Sequence, residues 1–148
     1  MTVRWLIMDA ERARNLVSGY LAVDLPQRWR HVCGVAHRAS KIAPYLADPD
    51  DTLACAAWLH DIGYAPALAA TGFHPLDGAR FLALAGASRR LAGLVAHHSY
   101  AAQEADLRGL ADDLAEFDDE DSTVRDALWY CDITTSPDGQ PTTAAPRN

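Results

Sequence analysis

The segment DTLACAAWLHDIG, residues 51–63, constrains the fold of this chain more than any other stretch. From Leu53 to Leu59 it carries no charged side chain. A helix through it has no solvent face and must be enclosed by other elements. His60 and Asp61 follow at its C-terminal end. An ionised carboxylate beside an imidazole, in a segment built for burial, is costly unless something pairs with it. A divalent cation satisfies both, because neutral imidazole nitrogens and carboxylates are good ligands for Zn, Mn, Fe, Ni or Co. Taken alone, the dipeptide reads more readily as a helix end with a surface ion pair, so a metal site requires partners from elsewhere in the chain.

Helical punctuation recurs along the chain. Asp9 is placed to cap a first helix running to about Tyr20, with Ala13, Leu16, Val17 and Tyr20 on one face. After a break at Asp24–Pro26, RWRHVCGVAHRASKIAPYL repeats apolar residues at helical spacing as far as Pro44. Asp50 and Asp51 can cap the apolar helix, which should stop near Gly63. Pro75 suits the first turn of PLDGARFLALAG, with Gly86 as the stop. Ser88 is placed to cap RRLAGLVAHHS, ADLRGLADDLAEF reads as an acidic amphipathic helix, and Asp121 or Ser122 opens STVRDALWYCDIT. The expectation is an all-α, single-domain orthogonal bundle of about seven helices. Residues 1–24 would form an N-terminal helix on the bundle, 25–136 the main domain, and 137–148, rich in Pro, Thr and Gly, a disordered or loosely packed tail.

Composition excludes several classes. The chain of 148 residues is long enough for a core without disulfides. Residues 1–100 hold 8 acids and 10 bases, but 101–148 hold 12 acids and 3 bases, giving a net charge of −7. Such a surface repels a phosphate backbone, so no large nucleic acid is expected as a partner. A small phosphorylated ligand stays open, since a bound dication outweighs distant surface charge. Cys33, Cys55 and Cys131 are far apart and form no C-x-x-C pair, so they read as buried free thiols. The opening MTVRWLIMDAERAR is neither a membrane span nor a signal peptide, and a cytoplasmic location is expected, with no membrane partner. The run FDDEDS at 117–122 lacks calcium-loop spacing and reads as a solvated helix connection. There is no phosphate-cradling Gly-rich loop, no G-x-S-x-G and no H-E-x-x-H.

The partners for His60 and Asp61 come from two other helices. His31 lies beside Val32, Val35, Ala36 and Ala39, on or near an inward face. Asp132 lies among Leu128 and Cys131 on the final helix. A His, a His–Asp pair and a late Asp, each near the buried side of its helix, suit an inward-pointing metal cage. The order His31 … His60-Asp61 … Asp132, with WLHDIG and ALWYCDITT as context, resembles the HD-domain superfamily of metal-dependent phosphohydrolases over residues 25–136. The resemblance implies a helical bundle, a metal held by those four side chains, and hydrolysis of a phosphate ester.

Binuclear members of that superfamily add histidines between the HD pair and the final Asp. This chain has His74, then His97 and His98, in the same order. The resemblance therefore implies that Asp61 bridges two metals, with these histidines serving the second. Neighbouring helical residues point about 100° apart, so His97 and His98 need not both ligate. One of them is the candidate for proton transfer to the leaving group, while Asp61 would position the attacking water. His37, roughly 240° around the helix from His31, faces elsewhere. Many binuclear relatives carry a Lys three residues after the HD Asp. Here that position is Tyr64, and the one lysine of the chain is Lys41. Arg38, Arg80 or Tyr64 could meet phosphate instead, and spacing selects none of them.

The expected function is thus metal-dependent hydrolysis of a phosphoester or phosphoanhydride in a small molecule, first of all a nucleotide. It would use one or two divalent ions (Mn, Fe, Mg, Zn, Ni or Co). A di-iron oxygenase of the same superfamily and a non-catalytic sensor module are the alternatives, and a homodimer is open.

Overall fold

The computed structural model describes residues 8–48 and 50–143. Eight α-helices lie in this region: α1 (Ala10–Leu21), α2 (Pro26–Ile42), α3 (Thr52–Leu59), α4 (His74–Leu84), α5 (Arg89–Ala96), α6 (Ala101–Leu107), α7 (Ala111–Leu114) and α8 (Thr123–Ile133). Short 3-10 turns follow α2 and occupy the connection from α3 to α4. No described helix is long and apolar enough to cross a membrane.

The apolar helix is the centre, as its composition requires. α3 packs against α1, α2, α5 and α8. Leu53, Ala56, Ala57 and Leu59 are wholly buried. Around it α1 contributes Ala13, Val17 and Leu21, spaced one turn apart, and α2 contributes Val32, Val35, Ala36 and Ala39. A second, smaller core of Phe73, Leu76, Ala79, Ala96, Ala105 and Leu114 lies between α4, α5, α6 and α7. Cys55 and Cys131 are buried free thiols, pushed up to about 12 and about 11 by burial, and Cys33 is half-buried.

Capping explains most of the helix boundaries. Asp9 accepts from the Arg12 amide, Ser88 from that of Leu91 and Ser122 from that of Arg125, each satisfying an orphan first-turn donor. The cap of α3 differs from expectation. Asp48 accepts from the amides of Thr52 and Leu53, while Asp51 adopts a left-handed φ of 53° and makes no side-chain cap bond. Asp48 reaches both donors because the turn folds back over the start of the helix. The acidic helix expected from ADLRGLADDLAEF is also corrected, into α6 and α7. Gly109, at φ +74°, ends α6, and the Leu110 amide returns to the Ala105 carbonyl.

Two close backbone approaches lock the bundle at its turns. A Cβ on Gly63 would lie 2.0 Å from the His74 carbonyl oxygen, so only glycine lets the turn after α3 touch the start of α4. A Cβ on Gly34 would lie 2.3 Å from the Gly139 carbonyl oxygen. Residues 136–143, in the segment expected to be loose, thus form a turn against α2, with Thr135 bridged to Pro141. Residues 144–148 of that segment, and residues 1–7 of the expected N-terminal unit, lie outside the described residues. Replacing Gly63 with Ala should lower stability by about 1–3 kcal/mol through overpacking. In a domain of this size that is a fall of roughly 3–10 °C in melting temperature, read by calorimetry. An unchanged melting temperature would show that α4 can move off the turn at no cost.

Candidate metal centre

Six of the seven candidate residues meet at one place. His60 is the C-cap of α3 and is wholly buried; Asp61 follows it at 2% exposure. α2 supplies His31, the first residue of α4 is His74, His98 lies just past α5, and α8 supplies Asp132. The packing of α2, α5 and α8 against α3, and of α4 against α5 and the turn after α3, thereby carries these side chains to one point.

Three of the four histidines share one device. The Nδ1–H of His60 donates to the Ala57 carbonyl at 2.7 Å, that of His98 to Val95 at 2.6 Å, and that of His31 to Ser136 at 3.0 Å. A ring nitrogen this close to a carbonyl must carry a proton, so each Nε2 is the inward atom, and it has a lone pair for a cation when the imidazole is neutral. Outer partners of this kind orient metal-ligating imidazoles and raise their basicity. The Nε2 of His60 is buried with no hydrogen-bond partner. Buried polar atoms are seldom left so, and a cation is the partner that a lone pair among carboxylates takes.

The ligand atoms fall into two sets that share Asp61. In the first, His31 Nε2 lies 2.8 Å from Asp132 Oδ1, and His60 Nε2 lies 3.4 Å from the same oxygen. Asp61 Oδ2 is 3.2 Å from His60 Nε2 and 3.7 Å from His31 Nε2. In the second, Asp61 Oδ1 is 3.3 Å from His74 Nε2 and 3.5 Å from His98 Nε2, and these two nitrogens are 3.3 Å apart. Bonds of about 2.1 Å to a metal imply ligand–ligand edges of roughly 3.0 Å in an octahedron or 3.4 Å in a tetrahedron. Both sets match that scale, with one Asp61 oxygen in each. The residues therefore fit divalent-cation binding, and with nitrogen and oxygen donors alone they suit Mn, Fe, Zn, Ni, Co or Mg.

The electrostatics agree. Burial alone would lower the His60 imidazole, yet the Asp61 and Asp132 carboxylates outweigh it and hold His60 well above its ordinary value. Burial would raise both carboxyls, but the neighbouring His60 charge and hydrogen bonds from the surrounding histidines hold them well below theirs. Burial keeps His74 lower than usual, against the pull of Asp61. The cluster demands positive charge between its carboxylates, which a proton or a cation can supply.

His97 is the exception among the expected ligands. Its Nε2–H donates to the Phe117 carbonyl at 2.8 Å, and its Nδ1 lies 4.0 Å from Asp119. The ring is turned to the connection between α7 and α8, about one residue's rotation away from His98. It is a bridge within the fold, and the proton-transfer role considered for it has no geometric basis. His37 is exposed, as expected. The 117–122 run pairs with arginines: Asp118 with Arg89, Asp119 with Arg125 and Glu120 with Arg90.

Two residues that sequence reasoning passed over join the site. Ser99 donates to Asp132 Oδ2 at 2.6 Å, from a backbone held at a left-handed φ of 47°, with Tyr100 following at 65°. Two consecutive non-glycine residues in that region are costly, and such strain concentrates at functional sites. Arg28 donates from Nη1 to Asp61 Oδ2 at 3.1 Å. Its signal was available, since a residue three before His31 shares its helix face. A cleft of about 410 Å³ opens onto the cluster, lined by Arg28, Tyr64, Ser99, Tyr100 and Glu104 beside the ligands. Of the expected phosphate-contacting side chains, Tyr64 lines it. Arg38 is bound to the Thr134 carbonyl, and Arg80 is held by Asp113 and Glu116.

No curated protein and no solved structure matches the chain. The model of the HD domain family matches residues 28–128, which take in His31, the His60–Asp61 pair, His74 and His98 and stop short of Asp132. Asp132 thus rests on geometry, through its 2.8 Å approach to His31. With more than half of its length matched and a buried His/Asp cluster compatible with metal binding, the chain belongs to the HD domain family, whose members are generally metal-dependent phosphohydrolases.

Proposed function

We propose that the protein hydrolyses a phosphoester or phosphoanhydride bond in a small molecule, with two divalent ions held by His31, His60, Asp61 and Asp132 on one side and by Asp61, His74 and His98 on the other. The observation that carries this reading is the set of inward Nε2 lone pairs, fixed by backbone carbonyls, around two buried carboxylates. A nucleotide is the first candidate, because the cleft is of small-ligand size and carries the half-exposed Tyr100 ring on its wall.

The chemistry that ions supply in such a site is Lewis acidity towards a phosphoryl oxygen and a lowered pKa for water. The side chains set up the rest. Asp61, fixed by ligand-distance contacts on both oxygens, is an acceptor that holds a water's proton direction towards the cleft. Ser99 donates to the outer oxygen of Asp132 and so leaves Oδ1 for the centre. Tyr64 stacks on His74 at 3.9 Å between ring centroids and keeps that imidazole from rotating. Such fixed donors and dipoles need no rearrangement as charge develops.

Metal counting tests the assignment. Under metal-replete conditions, elemental analysis should find close to two ions per chain. His74→Ala should lower the ratio to about one, and Asp61→Ala should remove most of both. His97→Ala should leave it near two, since that ring faces Phe117. A wild-type ratio of one, unmoved by His74→Ala, would restrict binding to the first set.

The same donor set would serve a di-iron oxygenase, and redox dependence separates the two. A hydrolase needs a Lewis acid only, so Zn, Mg or Mn forms should release phosphate from a nucleotide or sugar phosphate, at equal rates in air and under argon. Turnover confined to iron with oxygen, without phosphate release from any metal form, would overturn the hydrolase reading.

A further inference from the structure

The geometry points to Arg28 as the group that binds the substrate's phosphate, held in place by Tyr64, and this inference rests on the phosphohydrolase reading above. Among the residues lining the cleft, Arg28 is the one arginine or lysine. Its guanidinium lies over the Tyr64 ring, 4.1 Å from the centroid, and His74 stacks on the same ring at 3.9 Å between centroids. Tyr64 thus links the guanidinium to a second-set imidazole, and all three line the cleft. Planar guanidinium on an aromatic face is a favourable pairing that restricts the side chain. Tyr64 is packed against both Arg28 and His74 and acts as a positioning residue.

Arg28 pairs with Asp61, so with cations bound there its guanidinium would stand beside positive charge. Its Nη1 is 3.1 Å from Asp61 Oδ2, an oxygen of the carboxylate shared by both ligand sets. Cations on Asp61 repel a guanidinium at that distance. A phosphate lying between them relieves the repulsion, because it accepts from the guanidinium while its other oxygens face the ions. Arg28 has five N–H donors, one of them used on Asp61, and its side chain is 34% exposed, so donors remain open to the cleft. Forked, charge-assisted contacts of this type are what phosphate recognition uses. Tyr64 therefore contributes no cation of its own; it stacks and aims the cation borne by α2. Lys41, the one lysine of the chain, lies at the far end of α2 and is exposed.

The test is calorimetric titration of the metal-loaded protein with inorganic phosphate, with metal content measured on each sample. Arg28→Ala should weaken phosphate binding by about tenfold to a hundredfold, the range for a lost charged hydrogen bond, at unchanged metal content. Arg28→Lys should recover part of the loss. Tyr64→Phe, which keeps the stack, should bind as wild type does, while Tyr64→Ala should weaken binding by several-fold. In turnover Arg28→Ala and Tyr64→Ala should raise KM more than they lower kcat. Phosphate binding by Arg28→Ala within twofold of wild type overturns the inference and leaves the hydrolase reading standing. So does loss of metal from Arg28→Ala, which would make Arg28 a support for Asp61. Wild-type protein that holds metal and binds no phosphate overturns the inference and the reading it rests on together.

Discussion

Asp61 is removed from water and Asp132 largely so, inside a bundle with a mainly apolar core, and the rest of the site is arranged around that fact. Two carboxylates a few ångströms apart repel each other, and burial strengthens the repulsion by lowering the effective dielectric constant. Imidazoles from four elements, one guanidinium and one hydroxyl surround them. A buried charge left unpartnered would destabilise the fold by several kcal/mol. The same pressure that makes the arrangement expensive makes it selective for a multivalent cation.

Backbone, more than side chains, aims the ligands. Ala57, Val95 and Ser136 each present a carbonyl to an Nδ1. Two of these carbonyls lie three residues before their own histidine, at helix C-termini where the last carbonyls lack helical partners. His60 and His98 therefore use a feature that every helix end provides. The third carbonyl comes from the turn after α8, seated against α2 through the contact of Gly34 with Gly139.

Much of this was legible from the residues. The apolar stretch Leu53–Leu59 demanded a central helix, and Asp9, Ser88 and Ser122 marked helix starts because their side chains act on donors only three residues away. His31, His60, Asp61 and Asp132 were legible as a set because each is polar among apolar neighbours. What escaped depends on angles and distant contacts. Nothing local tells which of two adjacent histidines, His97 or His98, turns inward. Asp50 and Asp51 stand nearest the start of α3 in sequence, yet Asp48 caps it, because the backbone path decides. Gly109 breaks a helix that the charge pattern would continue. Arg28 meets Tyr64 across 36 positions of sequence, through a stack that no periodicity encodes.

The Ser136 carbonyl that fixes His31 has a consequence in time. The two residues are 105 positions apart, and Asp132 is nearly as far from His31. Translation at about 5–20 residues per second separates their appearance by roughly 5–20 s. Through that interval the nascent chain holds His31, and then the HD pair, without Asp132 or the Ser136 carbonyl, and the α1–α3 core can form around an incomplete cage. The donor set is thus complete only after the C-terminal turn has docked on α2.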